Sequence, residues 1–131
     1  MNTPDYNEIN VGIDTGQTYL DVYIRPSGEF ETFPNSPDGI RKAIRFIRPF
    51  KATRILIEST GRLEMAFFCA AYKDGLPVCI CDPVRVRKFA QSTGRLAKTD
   101  KLDAQDIAYF GETMKPDPSK LKPEKLRLLS D

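Results

Sequence analysis

Alternating hydrophobicity near the amino end of the chain predicts three consecutive β-strands. Residues 19–24 alternate strictly, with three aliphatic side chains on one face and polar or aromatic side chains on the other. This period of two is typical of a half-buried strand. A short apolar run at residues 9–14 precedes it, and the turn sequence PSG leads into a third strand at residues 29–33. Short links between consecutive strands favour an antiparallel meander.

Helical patterns alternate with strands in the rest of the chain. Ser36 followed by Pro37 predicts a helix start, and Ile40, Ile44 and Ile47 form the buried stripe of that helix. The further predicted elements are a strand at residues 54–58, a helix from about Arg62 to Gly75 with Leu63, Ala66, Phe67 and Ala70 buried, a strand at residues 78–81, a short helix at residues 84–90, a mobile loop at residues 91–98 and a helix from about Thr99 to Thr113.

The predicted order βββαβαβ, followed by helices, constrains the fold class. Three antiparallel strands continued by right-handed βαβ units give an α/β fold with a mixed sheet and helices on its faces. This is the architecture of the ribonuclease H-like (RuvC-like) fold. It places the first and fourth strands side by side, so side chains at their carboxyl ends should share one edge of the sheet.

Four acidic residues are candidate metal ligands. Asp14 ends the first predicted strand, and Glu58 ends the fourth. Asp100 and Asp103 are three residues apart, a spacing that predicts one face of a helix. Hard cations such as Mg²⁺ prefer oxygen ligands, and paired metal ions serve phosphodiester chemistry. The four carboxylates therefore predict a metal-dependent nuclease that uses Mg²⁺ or Mn²⁺.

Each of these acids also fits another interpretation. The sequence DTGQT, which begins at Asp14, matches the DxGxT phosphate loop of actin-like ATP-binding proteins. Glu58 fits a capping residue of the following helix. Asp100 and Asp103 fit acids that complement a helix N-terminus, although Asp106 suits that role better. An actin-like ATP-binding module and a non-catalytic nucleic-acid-binding remnant are thus the alternatives.

Positive charge is clustered although the net charge is only +2, from 20 basic and 18 acidic residues. Residues 41–54 and 85–98 each carry several basic residues and no acid. Such clusters can neutralise phosphates of a nucleic acid. The first cluster equally fits a solvated helix face. The second precedes the acidic pair, and its members are predicted to bind nucleic acid: Arg85, Arg87, Lys88, Arg95 and Lys98.

Composition excludes several other chemistries. The chain has no histidine, which excludes Ser-His and Cys-His nucleophile systems and HExxH zinc sites within it. Cys69, Cys79 and Cys81 lie in apolar surroundings without paired zinc spacing, which predicts buried, reduced thiols. No apolar run approaches the roughly 20 residues of a membrane span, and no secretory signal is visible. We therefore expect a cytoplasmic protein without a membrane partner.

The motifs together resemble those of a known family. VGIDTGQTYLDV, IEST-G and KTDKLDAQDIA resemble the three acidic motifs of the DEDD transposases of the insertion-sequence one-ten type, which include Piv-type DNA invertases. ICDPVRVRKFAQSTG resembles the segment that precedes the third motif. The similarity extends from about Val11 to Ile107, and KTDxxDA is its most specific part.

The resemblance implies a catalytic domain of a DNA transposase or recombinase that cleaves and transfers strands. It assigns residues 1–115 to a RuvC-like DEDD domain and residues 116–131 to a linker and the start of a truncated helical region. It further implies that Asp14, Glu58, Asp100 and Asp103 jointly bind Mg²⁺ or Mn²⁺. The expected partners are DNA, an element-encoded guide RNA and, in the full-length protein, further copies of the chain. A nucleophilic serine is expected beyond residue 131.

Overall fold

The computed structural model describes residues 8–97 and 100–120. Lys98, Thr99 and the helix predicted at residues 124–129 lie outside the described residues. A five-stranded sheet of order β3-β2-β1-β4-β5 forms the centre of the fold. Its strands are β1 (Asn10–Thr15), β2 (Tyr19–Arg25), β3 (Phe30–Pro34), β4 (Arg54–Glu58) and β5 (Val78–Cys81).

The strand directions confirm the predicted mixed sheet. β1 pairs antiparallel with β2, and β2 pairs antiparallel with β3. β4 runs parallel to both β1 and β5, so it lies beside the first strand as expected. The connection from β3 to β4 and that from β4 to β5 each contain a helix, which is typical of crossover connections that lead to parallel strands.

In the described part of the chain, four α-helices cover the sheet: α1 (Pro37–Ile47), α2 (Met65–Lys73), α3 (Pro83–Ser92) and α4 (Ala104–Met114). The prediction for α1 is confirmed, because the Ser36 hydroxyl accepts a hydrogen bond from the Gly39 N–H and the isoleucine stripe is buried. The predicted buried face of α2 is partly wrong. Ala66 is exposed, whereas Phe67, Phe68, Cys69 and Ala71 are buried.

The region between α3 and α4 differs from the prediction. α3 continues to Ser92, and Leu96 beyond it is buried, so much of the predicted mobile loop is packed. α4 begins at Ala104 rather than near Thr99, with Asp103 as its N-cap. The placement of Asp100 and Asp103 on one helix face was therefore wrong. The Asp100 carboxylate instead accepts a hydrogen bond from the Ala97 N–H, a local contact that competes with helix formation.

Two apolar cores lie on opposite faces of the sheet. Side chains such as Ile13 and Ile57 pack against α1 and α2, whereas Leu56 packs with residues of α3 and α4. α4 crosses β1 at very close range. A Cβ atom at Gly12 would lie 2.6 Å from the Ala108 backbone N and closer still to the Ala104 carbonyl oxygen. The missing side chain at Gly12 thus brings the start of α4 down onto β1.

The segment after α4 contacts the free edge of β5. The Ser119 N–H donates to the Val78 carbonyl at 2.8 Å, and the Ser119 hydroxyl accepts from the Ile80 N–H at 2.8 Å. The described part of the predicted linker is therefore bound to the sheet. Cys69, Cys79 and Cys81 are buried free thiols, as predicted. No described helix has the length and apolarity to cross a membrane.

Candidate metal site

Asp14 and Glu58 lie side by side at the carboxyl ends of two adjacent parallel strands. Ile13 is level with Ile57 in the pairing of β1 with β4, so the next residue of each strand is level too. Gly12 and Leu56 contact α4 and the residues around it, and side chains alternate along a strand. Asp14 and Glu58 therefore lie on that same face. The predicted arrangement of these two carboxylates is found.

Both carboxylates are half-buried and line one cleft. The cleft is bounded by the ends of β1 and β4, the start of α3 and the segment before α4. Its lining residues are Asp14, Thr15, Glu58, Pro83, Val84, Arg87, Lys101 and Leu102.

The electrostatics of the cleft favour a bound cation. Burial raises the pKa of the Asp14 carboxyl above its ordinary value, and the charges of Asp21 and Asp103 raise that pKa further, against the Lys101 charge. Burial also raises the pKa of Glu58, and the Asp14 charge adds to the increase, against Arg87 and Lys101. Like charges in a partly desolvated site repel, and a divalent cation would relieve that repulsion.

Asp103, the N-cap of α4, is close enough to the cleft to act electrostatically on Asp14. Its charge raises the pKa of Asp14, so the two carboxylates are electrostatic neighbours. One oxygen, Oδ1, accepts a hydrogen bond from the Asp106 N–H at 2.9 Å, and Asp106 Oδ2 accepts from the Asp103 N–H at 3.2 Å. This reciprocal capping box fixes the start of α4. Asp106 thus has the role at the helix N-terminus that the sequence suggested.

Asp100 does not line the cleft. It is exposed, and its Oδ2 accepts from the Ala97 N–H at 2.9 Å. Across residues 8–97 and 100–120, no three acidic or cysteine side chains meet as a ready group of metal ligands. The structure therefore brings two of the four acids together, holds Asp103 beside them and leaves Asp100 outside. The acidic donors of the cleft are the carboxylate oxygens of Asp14 and Glu58, and such oxygen ligands fit Mg²⁺ or Mn²⁺.

The loop that follows Glu58 contains a buried acid that sequence reasoning missed. Glu64 is only 2% exposed. Its carboxylate accepts hydrogen bonds from the Thr60 N–H, the Thr60 hydroxyl and the Gly61 N–H, at 3.0 to 3.3 Å. These bonds fix the chain immediately after Glu58. The pattern that could have identified it is a single acid inside the otherwise apolar run LEMAFF.

Lys101 is a second residue that sequence reasoning missed. It lies between the two aspartates of KTDKLDA in the sequence, and it lines the cleft in the structure. Its ammonium donates a hydrogen bond to the Tyr19 hydroxyl at 3.1 Å. Its place between two candidate ligands in the sequence was the pattern that could have identified it.

The residues predicted to bind nucleic acid occupy different environments. Arg85 and Lys88 are exposed on α3, and Arg87 lines the cleft. Arg95 instead packs on α4. Its Nε lies 3.6 Å from Asp106 Oδ1, and its guanidinium lies 5.1 Å from the centre of the Tyr109 ring.

Much of the first basic cluster forms ion pairs within the chain. Arg41 and Lys42 pair with Asp38 on the exposed face of α1. Arg48 pairs with Asp74, and Arg54 pairs with Glu8. These contacts favour the interpretation of this cluster as a solvated, self-paired surface.

Comparisons with known proteins agree with the fold and the motifs. A family model for DEDD transposases of the IS110 type, described as Transposase, matches residues 11–131. A Thermus thermophilus RuvC structure superposes with a TM-score of 0.60 and 17% identity, covering 85% of this chain and 99% of that one.

A T. thermophilus RuvC structure in complex with a Holliday junction substrate has a TM-score of 0.57 and 16% identity, covering 86% of this chain and 99% of that one. These similarities confirm the RuvC-like, ribonuclease H-like fold. No curated protein sequence matched the chain.

Proposed function

Since this chain belongs to the DEDD transposases of the IS110 type, we propose that its Asp14–Glu58 cleft is the metal centre at which a DNA strand is cut and transferred. The observation that carries this proposal is the pair of half-buried carboxylates on adjacent parallel strands, both with raised pKa values. Asp100 and Asp103 complete the ligand set in the proposal, within a catalytic domain of residues 1–115.

The residues of the cleft have distinct tasks. Asp14 and Glu58 supply oxygen ligands from rigid strand ends, which fixes their separation. Mg²⁺ or Mn²⁺ held there supplies activation of the attacking oxygen and stabilisation of the leaving one. Asp103 keeps one oxygen on the Asp106 N–H, and its other oxygen is the proposed metal ligand. Asp100, whose Oδ2 accepts from the Ala97 N–H outside the cleft, would have to move toward the cleft to join the ligands.

DNA is the proposed substrate, and it lies across the carboxyl edge of the sheet. Arg85 and Lys88 are exposed on α3, the helix whose Arg87 lines the cleft, which supports the proposal that they neutralise phosphates beside the cut. Arg95 and Lys98 continue this basic segment toward the acidic pair. The RuvC structure solved with a Holliday junction supports branched DNA as the form to test first. The expected guide RNA and homo-oligomer belong to the same proposal.

The ATP-binding and remnant alternatives gain no support. The DTGQT sequence forms the end of β1 and its tight turn into β2, in which the Gly16 N–H donates to the Tyr19 carbonyl at 2.9 Å. Membership of the transposase family accounts for the same aspartate.

A cleavage assay tests the proposal. The chain is incubated with a fluorescent branched DNA in Mn²⁺ or in EDTA, and Asp14→Asn and Glu58→Gln are compared with Asp117→Asn, an exposed acid near the β5 edge. We expect nicking that requires Mn²⁺, is lost in the first two variants and persists in the third. Equal nicking by wild type and Asp14→Asn, or by wild type in EDTA, would refute the proposal.

A further inference from the structure

Lys101 places a positive charge inside the acidic cleft. Its ammonium is held by contacts with Tyr19, the first residue of β2. It follows Asp100 and precedes Leu102, and it lines the cleft together with Asp14 and Glu58. Its Nζ donates to the Tyr19 hydroxyl at 3.1 Å and lies 5.9 Å from the centre of the Tyr19 ring. Both contacts draw the ammonium toward the end of β1.

Tyr19 is itself rigidly placed relative to Asp14. It begins β2 immediately after the turn from β1, and the Gly16 N–H donates to its carbonyl at 2.9 Å. Its ring lies so close over the turn that a Cβ at Gly16 would be 2.7 Å from the ring atom Cδ1. The Tyr19 hydroxyl that accepts from Lys101 is therefore held close to the end of β1, where Asp14 lies.

The Lys101 charge acts on both candidate ligands. Its side chain lines the same cleft as the Asp14 and Glu58 carboxylates, so its positive charge is a counter-charge to the pair. A divalent cation between these carboxylates would take over that task and repel the ammonium at short range. Lys101 is exposed, and its ammonium is hydrogen-bonded to the Tyr19 hydroxyl, so a change of rotamer would turn it outward to a phosphate of a bound strand.

We propose that Lys101 is a further catalytic residue, which neutralises Asp14 and Glu58 in the metal-free protein and binds a phosphate oxygen of the DNA strand in the loaded one. This rests on the proposed function. An ammonium at a non-bridging oxygen stabilises the negative charge that develops during phosphoryl transfer. Tyr19 is the positioning residue, because its hydroxyl holds the Lys101 ammonium near the cleft.

The two tasks predict opposite effects of one substitution. Lys101→Met keeps most of the unbranched side chain and removes its charge. Loss of a repelling charge should tighten Mn²⁺ binding about 3- to 10-fold, whereas loss of a phosphate contact should weaken DNA binding. The matched control is Lys42→Met, an exposed lysine on α1 that pairs with Asp38. Tyr19→Phe keeps the ring and removes only the hydrogen bond, so it should give smaller changes in the same directions.

The experiment uses the whole chain and does not depend on turnover. Calorimetric titration gives the Mn²⁺ affinity of each variant, and fluorescence anisotropy with a branched oligonucleotide in Ca²⁺ gives the DNA affinity across a salt series. For Lys101→Met we expect tighter Mn²⁺ binding, weaker DNA binding and a salt slope shallower by about one phosphate contact. We expect Lys42→Met to match wild type in all three.

Weaker Mn²⁺ binding by Lys101→Met, or DNA binding equal to that of Lys42→Met, would overturn the proposal. Absence of Mn²⁺ binding by the wild type would refute the proposed metal centre and, with it, the proposed change of task when metal binds. The comparison of DNA affinities would still show separately whether Lys101 contacts phosphate.

Discussion

Gly12→Ala should be among the most damaging single-methyl additions in this protein. The new Cβ would lie 2.6 Å from the Ala108 backbone N, 3.0 Å from the Ala108 Cβ and closer still to the Ala104 carbonyl oxygen. Carbon atoms pack at about 3.5–4.0 Å. Backbone atoms of a helix cannot rotate away, so α4 must move off β1 by about an ångström.

The displacement of α4 lowers the free energy of unfolding. Overpacking a core typically destabilises by about 1–3 kcal/mol, and a collision with helix backbone belongs at the upper end, so we expect about 3 kcal/mol. Asp103 caps α4 and moves with it. The substitution should therefore also weaken the thermal stabilisation of the protein by Mn²⁺.

Gly75→Ala is the matched control. Gly75 has a φ of +79° and nothing within 4 Å of a built Cβ, so the added methyl meets no atom and costs only the left-handed conformation, about 1–2 kcal/mol. Urea unfolding gives both free energies, and melting with and without Mn²⁺ gives the metal response. If Gly12→Ala is as stable as Gly75→Ala and keeps the full Mn²⁺ response, then α4 does not set the geometry of the site.

Three further predictions concern Asp14, Glu64 and the pair Arg95 and Lys88. The folded-state pKa of Asp14 is raised, so its favourable contribution is present below the unfolded pKa and is lost as pH rises through the folded pKa. Asp14→Asn should therefore raise the melting temperature in EDTA near neutral pH, and a lower one would contradict this. Glu64→Ala should cost about 2–3 kcal/mol in urea unfolding, because it removes the charged acceptor of the Thr60 and Gly61 N–H groups. A loss under half a kilocalorie would show that the loop after Glu58 does not need this carboxylate. Arg95→Ala should destabilise by about 1 kcal/mol, since its side chain packs on α4. Lys88→Ala should leave stability unchanged and flatten the salt dependence of DNA binding, and the reverse assignment of these two effects would refute both roles.

The sheet and half of the site were predictable because strand patterns are local. Asp14 and Glu58 each end an apolar run, and the order of elements places those runs on neighbouring parallel strands. No knowledge of distant contacts is needed for that step. The pairing register then brings the two carboxylates level.

The acidic pair could not be placed from sequence, because KTDKLDAQD offers several residues that can cap a helix. Thr99, Asp100 and Asp103 are all suitable N-caps by residue type. A contact distant in sequence, the close approach of Ala104 and Ala108 to Gly12, accompanies the start at Ala104. Spacing alone therefore predicted the wrong start.

Arg95 shows the same limitation in the basic segment. The sequence around it is polar and contains Gly94, which favours a mobile loop. Burial of Leu96 and the contacts of Arg95 with Asp106 and Tyr109 attach that segment to α4. Tertiary partners, which a local pattern does not contain, decided the outcome.

The shift of melting temperature with Mn²⁺ tests most directly whether the four carboxylates together bind a divalent cation. A ligand that binds only the folded state stabilises it in proportion to the logarithm of its concentration. The variants to compare with wild type are Asp14→Asn, Glu58→Gln, Asp100→Asn, Asp103→Asn and the control Asp117→Asn.

We expect wild type and Asp117→Asn to gain melting temperature steadily across millimolar Mn²⁺. Asp14→Asn and Glu58→Gln should lose most of that gain, and Asp100→Asn and Asp103→Asn a substantial part. A wild-type melting curve that does not move with Mn²⁺, or an Asp14→Asn curve that moves as far as the wild type, would contradict the account.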